Sequence, residues 1–212
     1  MREFYLFGSA RTGEVDSGSD VDLLVINEDG QRVGYPTSWS VYSARRVQEL
    51  FSRGMLFAWH LHREAFQIFS DTGANFLESL GPPAPYAPNA IVEIESLSRI
   101  TCEALDELAD GTPSWVYERG LVYVGLRDIG MAAALVLDGA PNFSKHAPFA
   151  LGAVGPPPLS VERYDQLMNC RRACTRDQFL VPVEEASRLS AAELSGIRDW
   201  CNDVLERVRG AA

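Results

Sequence analysis

The chain has 212 residues, 46% hydrophobic and 23% charged, which suits one large or two small globular domains and excludes a disordered or membrane-spanning chain. Acidic residues outnumber basic ones 29 to 19, the net charge is −10 and Lys145 is the single lysine. That balance lacks the basic excess with which polynucleotide binders neutralise phosphates, so a small molecule, a cationic one included, or a protein is the expected partner rather than nucleic acid. No uninterrupted apolar run reaches the ~18 residues of a membrane helix, and MREFYLFGSARTGE places glycine, serine and charge where a signal peptide needs apolar residues; both predict a cytoplasmic protein.

In chain order, Glu3 to Phe7 is a short apolar run ending at Gly8. Val21 to Asn27 (VDLLVIN) predicts a buried strand, closed by a turn at Glu28-Asp29-Gly30. Thr37 to Ser43 (TSWSVYS) alternates and predicts a third strand. Residues 44–51 and 55–64 predict helices, and Phe66 to Phe69 a last short strand. Strands mixed with helices indicate a compact α/β or α+β unit, and α+β is the expected class, with this domain over residues 1–80.

Gly81 to Ala90 (GPPAPYAPNA) holds four prolines and predicts a stiff connector. Residues 91–212 read as an all-helical, bundle-like domain. Ile91, Ile94, Leu97, Thr101, Leu105 and Leu108 recur at helical spacing. Thr112-Pro113 predicts a capped helix start, Ser160 a second cap, and Ser190 with Glu193 a capping box before Leu194, Ile197, Cys201, Val204 and Val208. The cysteines (Cys102, Cys170, Cys174, Cys201) lack zinc-site spacing, and Cys170 with Cys174 suggests two buried thiols one helical turn apart.

The chemistry concentrates in Phe7 to Ile26, FGSARTGEVDSGSDVDLLVI. Asp20 and Asp22 are one residue apart at the start of a strand, so the period-two geometry points both carboxylates to one face. Such a pair repels itself unless a cation lies between, an arrangement that suits Mg²⁺, which takes carboxylates together with substrate phosphates. Gly8-Ser9 after the first strand offers close backbone N–H groups and a hydroxyl to an anion, with a following helix expected to add its dipole. A lone D-x-D is also a common turn or strand-end feature and marks many glycosyltransferases, which usually place it after a long dinucleotide-type domain.

These residues resemble the signature of the nucleotidyltransferase superfamily: G-S, a short gap, then D-x-D. That superfamily includes DNA polymerase beta, the aminoglycoside and lincosamide nucleotidyltransferases and the minimal nucleotidyltransferases that accompany HEPN-type toxins. The wording FGSARTGE…SDVDLLV is most similar to the minimal and antibiotic-modifying branches, with a weaker likeness continuing through SWSVYSARRVQELFSRGMLFAWHLHREAFQIFSD. The resemblance implies a small mixed-sheet domain followed by a helical one. It implies that Gly8, Ser9 and Ser19 bind the nucleotide and that Asp20 and Asp22 are catalytic and hold Mg²⁺. A nucleoside triphosphate, ATP being the expected one, would then give its nucleoside monophosphate to a hydroxyl of a small molecule or protein.

One departure matters. Many members carry a third carboxylate on the strand after D-x-D, and here Ser38 stands at that place, with no Asp or Glu between Gln31 and Gln48. Glu64, Asp71 or the helical domain are left as sources of a substitute. The alternative is a catalytically impaired member acting as an antitoxin-like or regulatory binding module. His60 and Glu64 share a helical face with His62 turned away, which reads as a packing helix. Arg127-Asp128 interrupts an apolar stretch and predicts an internal ion pair, a phosphate grip being the other reading. No membrane partner is expected, and a homodimer is left open.

Overall fold

β1 (Arg2–Phe7) forms from the alternating run EFYLF and lies inside its sheet, not at an edge. It pairs antiparallel with β2 (Asp22–Asn27) on one side and with β4 (Phe66–Ser70) on the other, while β2 pairs in parallel with β3 (Ser40–Ser43). The sheet is therefore mixed, in the order β3-β2-β1-β4. The computed structural model describes residues 1–13, 21–175 and 180–211, and the chain divides into two compact units, Met1–Asn89 and Ala90–Ala212.

In the first unit, Tyr5 and Phe7 on β1 and Leu24 and Ile26 on β2 share one face of the sheet. They are covered by α2 (Ala44–Ser52), α3 (Leu56–Glu64) and α4 (Phe76–Leu80), which contribute Val47, Leu50, Phe51, Ala58, Leu61 and Leu77. Ser43 caps α2, its hydroxyl accepting from Arg46 N at 3.1 Å, a contact worth about 1 kcal/mol. On the opposite face Phe4 meets the edges of Tyr35, Trp39 and Phe69, with centroids 5.4–6.1 Å away.

Glu3 faces the helices too and is wholly buried. Its Oε2 accepts from the Tyr5 hydroxyl, from Gln67 Nε2 at 2.9 Å and from Phe76 N at 2.9 Å, whereas Oε1 has no hydrogen-bond partner. Burial pushes the Tyr5 hydroxyl well above its usual range, and the neighbouring Glu3 carboxylate pushes it in the same direction. The proline-rich stretch packs on this unit. Ala84 N donates to Phe51 O at 2.9 Å, Ala84 O accepts from the Trp59 indole at 3.1 Å, and Tyr86 is buried.

The third strand is shorter than TSWSVYS predicts. Ser38 lies in a turn in which Trp39 N donates to Pro36 O, and Arg32 braces that turn by donating to Thr37 O at 2.6 Å and to Trp39 O at 2.8 Å. Only Ser40 to Ser43 reach the ladder.

The second unit contains four long helices: α5 (Ala87–Asp110), α6 (Trp115–Ala133), α7 (Val161–Thr175) and α9 (Ala191–Ala211), with the short α8 (Glu184–Ser187) before the last. A π turn, Ala134–Asp138, continues α6. The α+β class with an all-helical second part is as the sequence predicts. Ser190 and Glu193 form the reciprocal box, Glu193 N donating to Ser190 Oγ at 3.2 Å and Ser190 N to Glu193 Oε2 at 2.7 Å. The start of α6 differs from expectation: Ser114 is the residue before the helix, and the Thr112 hydroxyl accepts from Ser114 N at 3.3 Å instead of capping the helix directly.

Helices approach closely where glycine permits. A β-carbon on Gly125 of α6 would lie 1.9 Å from Thr101 Oγ1 of α5. Cys170 and Cys201 are buried as expected, but Cys174, at the end of α7, is exposed. The segment Trp115–Asp138 is long and apolar enough to cross a membrane by length and composition, which the count of uninterrupted apolar runs misses because Arg127-Asp128 divides it. Just over half, 56%, of its most apolar window is buried within the chain.

Candidate nucleotide site

Gly8 ends β1 with φ +69° and ψ −154°, a conformation open in practice to glycine alone. The backbone then enters α1 (Ser9–Thr12), which closes on Gly13, also at positive φ. Antiparallel pairing places Phe7 directly opposite Asp22 at the start of β2. The Asp22 carboxylate leans over the glycine: a β-carbon on Gly8 would lie 2.5 Å from Asp22 Oδ2. Glycine is thus required twice, once for its torsions and once for the space the carboxylate fills.

The expected helix dipole is not a large part of this cradle. α1 is a single turn of four residues, and a macrodipole needs several aligned peptides. What the turn offers an anion is local: backbone N–H groups and the Ser9 hydroxyl beside the strand end. Ser19 and Asp20 lie outside the described residues.

Residues 2–60 match the family model of the nucleotidyltransferase domain. This segment is similar to nucleotidyltransferase domains. Among solved structures, the spectinomycin adenyltransferase of Enterococcus faecialis, crystallised with ATP and spectinomycin, aligns over 94% of this chain and 91% of its own. The TM-score is 0.42 and the identity 13%. No curated protein matches the chain significantly.

The first unit has no carboxylate on β3, whose residues are Ser40, Val41, Tyr42 and Ser43. Ser38, the sequence candidate for that place, is off the strand. Among the described residues no three of His, Cys, Asp and Glu gather as a metal site. The donors present still match Mg²⁺ in kind, since Asp22 contributes a hard carboxylate against a glycine that leaves it room.

His60 and Glu64 pair on α3, and His60 packs on the strand that ends at this site. His60 Nε2 and Glu64 Oε2 are 2.9 Å apart, and the imidazole meets the Phe7 ring edge-on, with centroids 5.4 Å apart. The sequence signal was their i,i+4 spacing; the link to Phe7 comes only from tertiary packing. His62 turns away as predicted and meets Trp59 edge-on. Partial burial, aided by Arg63, holds its pKa below the usual imidazole value.

In the helical unit Arg127, Arg119 and Arg163 are structurally engaged. Arg127 Nε donates to Asp128 Oδ1 at 2.7 Å; burial opposes its charge, but Asp128 outweighs it and holds the guanidinium firmly protonated. Arg119 is buried on the Trp115 ring, 4.4 Å from its centroid, and donates to Glu184 O at 2.9 Å and Ser187 Oγ at 2.8 Å. Arg163 Nη1 donates to Ala186 O at 2.6 Å, so two arginines hold the α8 segment. Arg176 lies outside the described residues.

Proposed function

We infer that the protein is a Mg²⁺-dependent enzyme that moves a nucleoside monophosphate from a nucleoside triphosphate, ATP in the first instance, to a hydroxyl of a small molecule or a protein. One observation carries this reading: the Asp22 carboxylate is seated on Gly8, inside the segment that matches the nucleotidyltransferase family model. Gly8, Ser9 and Ser19 are assigned to the triphosphate, and Asp20 and Asp22 to Mg²⁺. When bound, the metal supplies charge neutralisation on the phosphates. The acceptor oxygen forms a bond to the α-phosphorus, the bond to the β-phosphate oxygen breaks, pyrophosphate leaves and the hydroxyl proton is released to water. The chain's own residues act by positioning: Gly8 lets the backbone approach the phosphates, Ser9 donates a hydrogen bond, and Asp22 stays fixed because its strand is buried on both sides.

A second reading, a fold that binds nucleotide without transferring it and works by docking a partner, has one specific observation in its favour. The third strand offers no acid, and Ser38 sits in a turn. Calorimetric titration of ATP with and without Mg²⁺ into wild type and Asp22→Asn tests the inference. Binding that needs the metal and is lost in the variant supports it and justifies a screen of hydroxyl acceptors for pyrophosphate release. Absence of binding to wild type overturns both readings.

A further inference from the structure

Phe7 is a meeting point. Across the β1–β2 ladder its direct partner is Asp22, and side chains of directly paired residues share a face with β-carbons roughly 5 Å apart. From above, α3 lays two side chains on the same ring, Phe57 at 5.9 Å and His60 at 5.4 Å between centroids. The spacing i,i+3 puts both on one face of the helix. Asp22 and His60 therefore flank one phenylalanine.

Glu64 reaches this end of the sheet by the chain's own course. α3 stops at Glu64, and β4 begins two residues later with Phe66 paired to Leu6. The Glu64 carboxylate fixes the imidazole by taking one ring nitrogen at 2.9 Å, and both side chains keep about a fifth of their surface exposed, 19% and 17%. A half-buried histidine–carboxylate pair costs desolvation wherever it stands. Here it stands where the family-matched segment has a glycine turn and an aspartate, while β3 brings no polar acid.

We propose that His60 belongs to the nucleotide site, making a polar contact with the phosphates of the bound nucleoside triphosphate, and that Glu64 is the positioning residue that holds the imidazole for it. This rests on the function inferred above. A triphosphate beside the Asp22 carboxylate needs donors to offset like-charge repulsion. A ring pinned on one edge by Phe7 and on one nitrogen by Glu64 loses little freedom when it binds, which is how a preorganised donor adds affinity.

The test uses the full chain and a non-hydrolysable ATP analogue with Mg²⁺. The chain has three histidines, so its imidazole NMR signals are few and assignable by substitution. On titration the His60 signals should shift in step with calorimetric binding, while those of His62, on the far side of the same helix, stay in place. His60→Gln should weaken binding about tenfold or more, Glu64→Gln by a smaller factor, and His62→Gln not at all. Binding that leaves the wild-type His60 signals unmoved overturns the proposal while leaving the inferred function standing, and this readout does not depend on any variant folding. Wild-type affinity in a folded His60→Gln protein overturns it equally. No binding to wild type removes the inferred function and this proposal together.

Discussion

Gly8 and the Asp22 carboxylate compete for a volume that a single methyl group would fill, since Oδ2 lies 2.5 Å from where that carbon would be. β1, which ends one residue before Gly8, is held on both sides by β2 and β4.

Gly8→Ala should therefore cost about 1–3 kcal/mol in backbone strain alone, with a further cost for displacing the carboxylate. Asp22→Ala in the same background relieves the second cost but not the first, so the double variant should be more stable than the sum of the singles. Urea unfolding of the four proteins measures the coupling. Strict additivity would mean that the carboxylate does not fill this space.

Gly125 of α6 and Thr101 of α5 make a second close approach, inside the helical unit. Gly125→Ala should destabilise by about 1–3 kcal/mol through overpacking, and Thr101→Ala should recover part of that loss by removing the hydroxyl oxygen that stands in the way. The Thr101→Ala change alone loses the 2.8 Å bond to Leu97 O, so the cycle needs all four corners. Thermal melts suffice, and an unshifted Gly125→Ala melt refutes the close packing.

Alkaline pH provides a third check. Burial raises the pKa of Tyr5, Tyr123 and Tyr164 above the ordinary value of 10.0, so each stays protonated in the folded chain at a pH where the unfolded chain would release the proton. The folded state then binds more protons than the unfolded one, and the stability these hydroxyls contribute is full below pH 10 and falls as pH rises beyond it. Urea midpoints measured from pH 8 to pH 11 should be level at first and then drop. A flat profile would show that these hydroxyls are not buried as described.

Much of this was legible in the sequence for identifiable reasons. VDLLVIN reads as a buried strand, and Gly-Ser before it as a place where backbone N–H groups can come close to an anion. What stayed hidden depended on distant residues. Glu3 looks like a surface charge at a strand start, yet Gln67 and Phe76 close over it. Ser38 falls on the alternation of TSWSVYS, but Pro36 and the bracing Arg32 pull it into a turn. The i,i+4 spacing of His60 and Glu64 put them on one helical face, but no local pattern could say that His60 would pack on Phe7, the ladder partner of Asp22. Cys174 shares a helix with buried Cys170, and its exposure follows from lying in the last turn of α7.

The strand order has a consequence for how the chain is made. β1 and β2 can join as soon as residue 27 is available, but the other side of β1 accepts its partner only when residues 66–70 arrive. At 5–20 residues per second, that leaves the backbone of the central strand unpaired along one side for roughly 2–9 s of synthesis. During that interval the nascent sheet presents an open hydrogen-bonding row to any neighbouring chain, so synthesis speed through residues 28–66 becomes a determinant of yield.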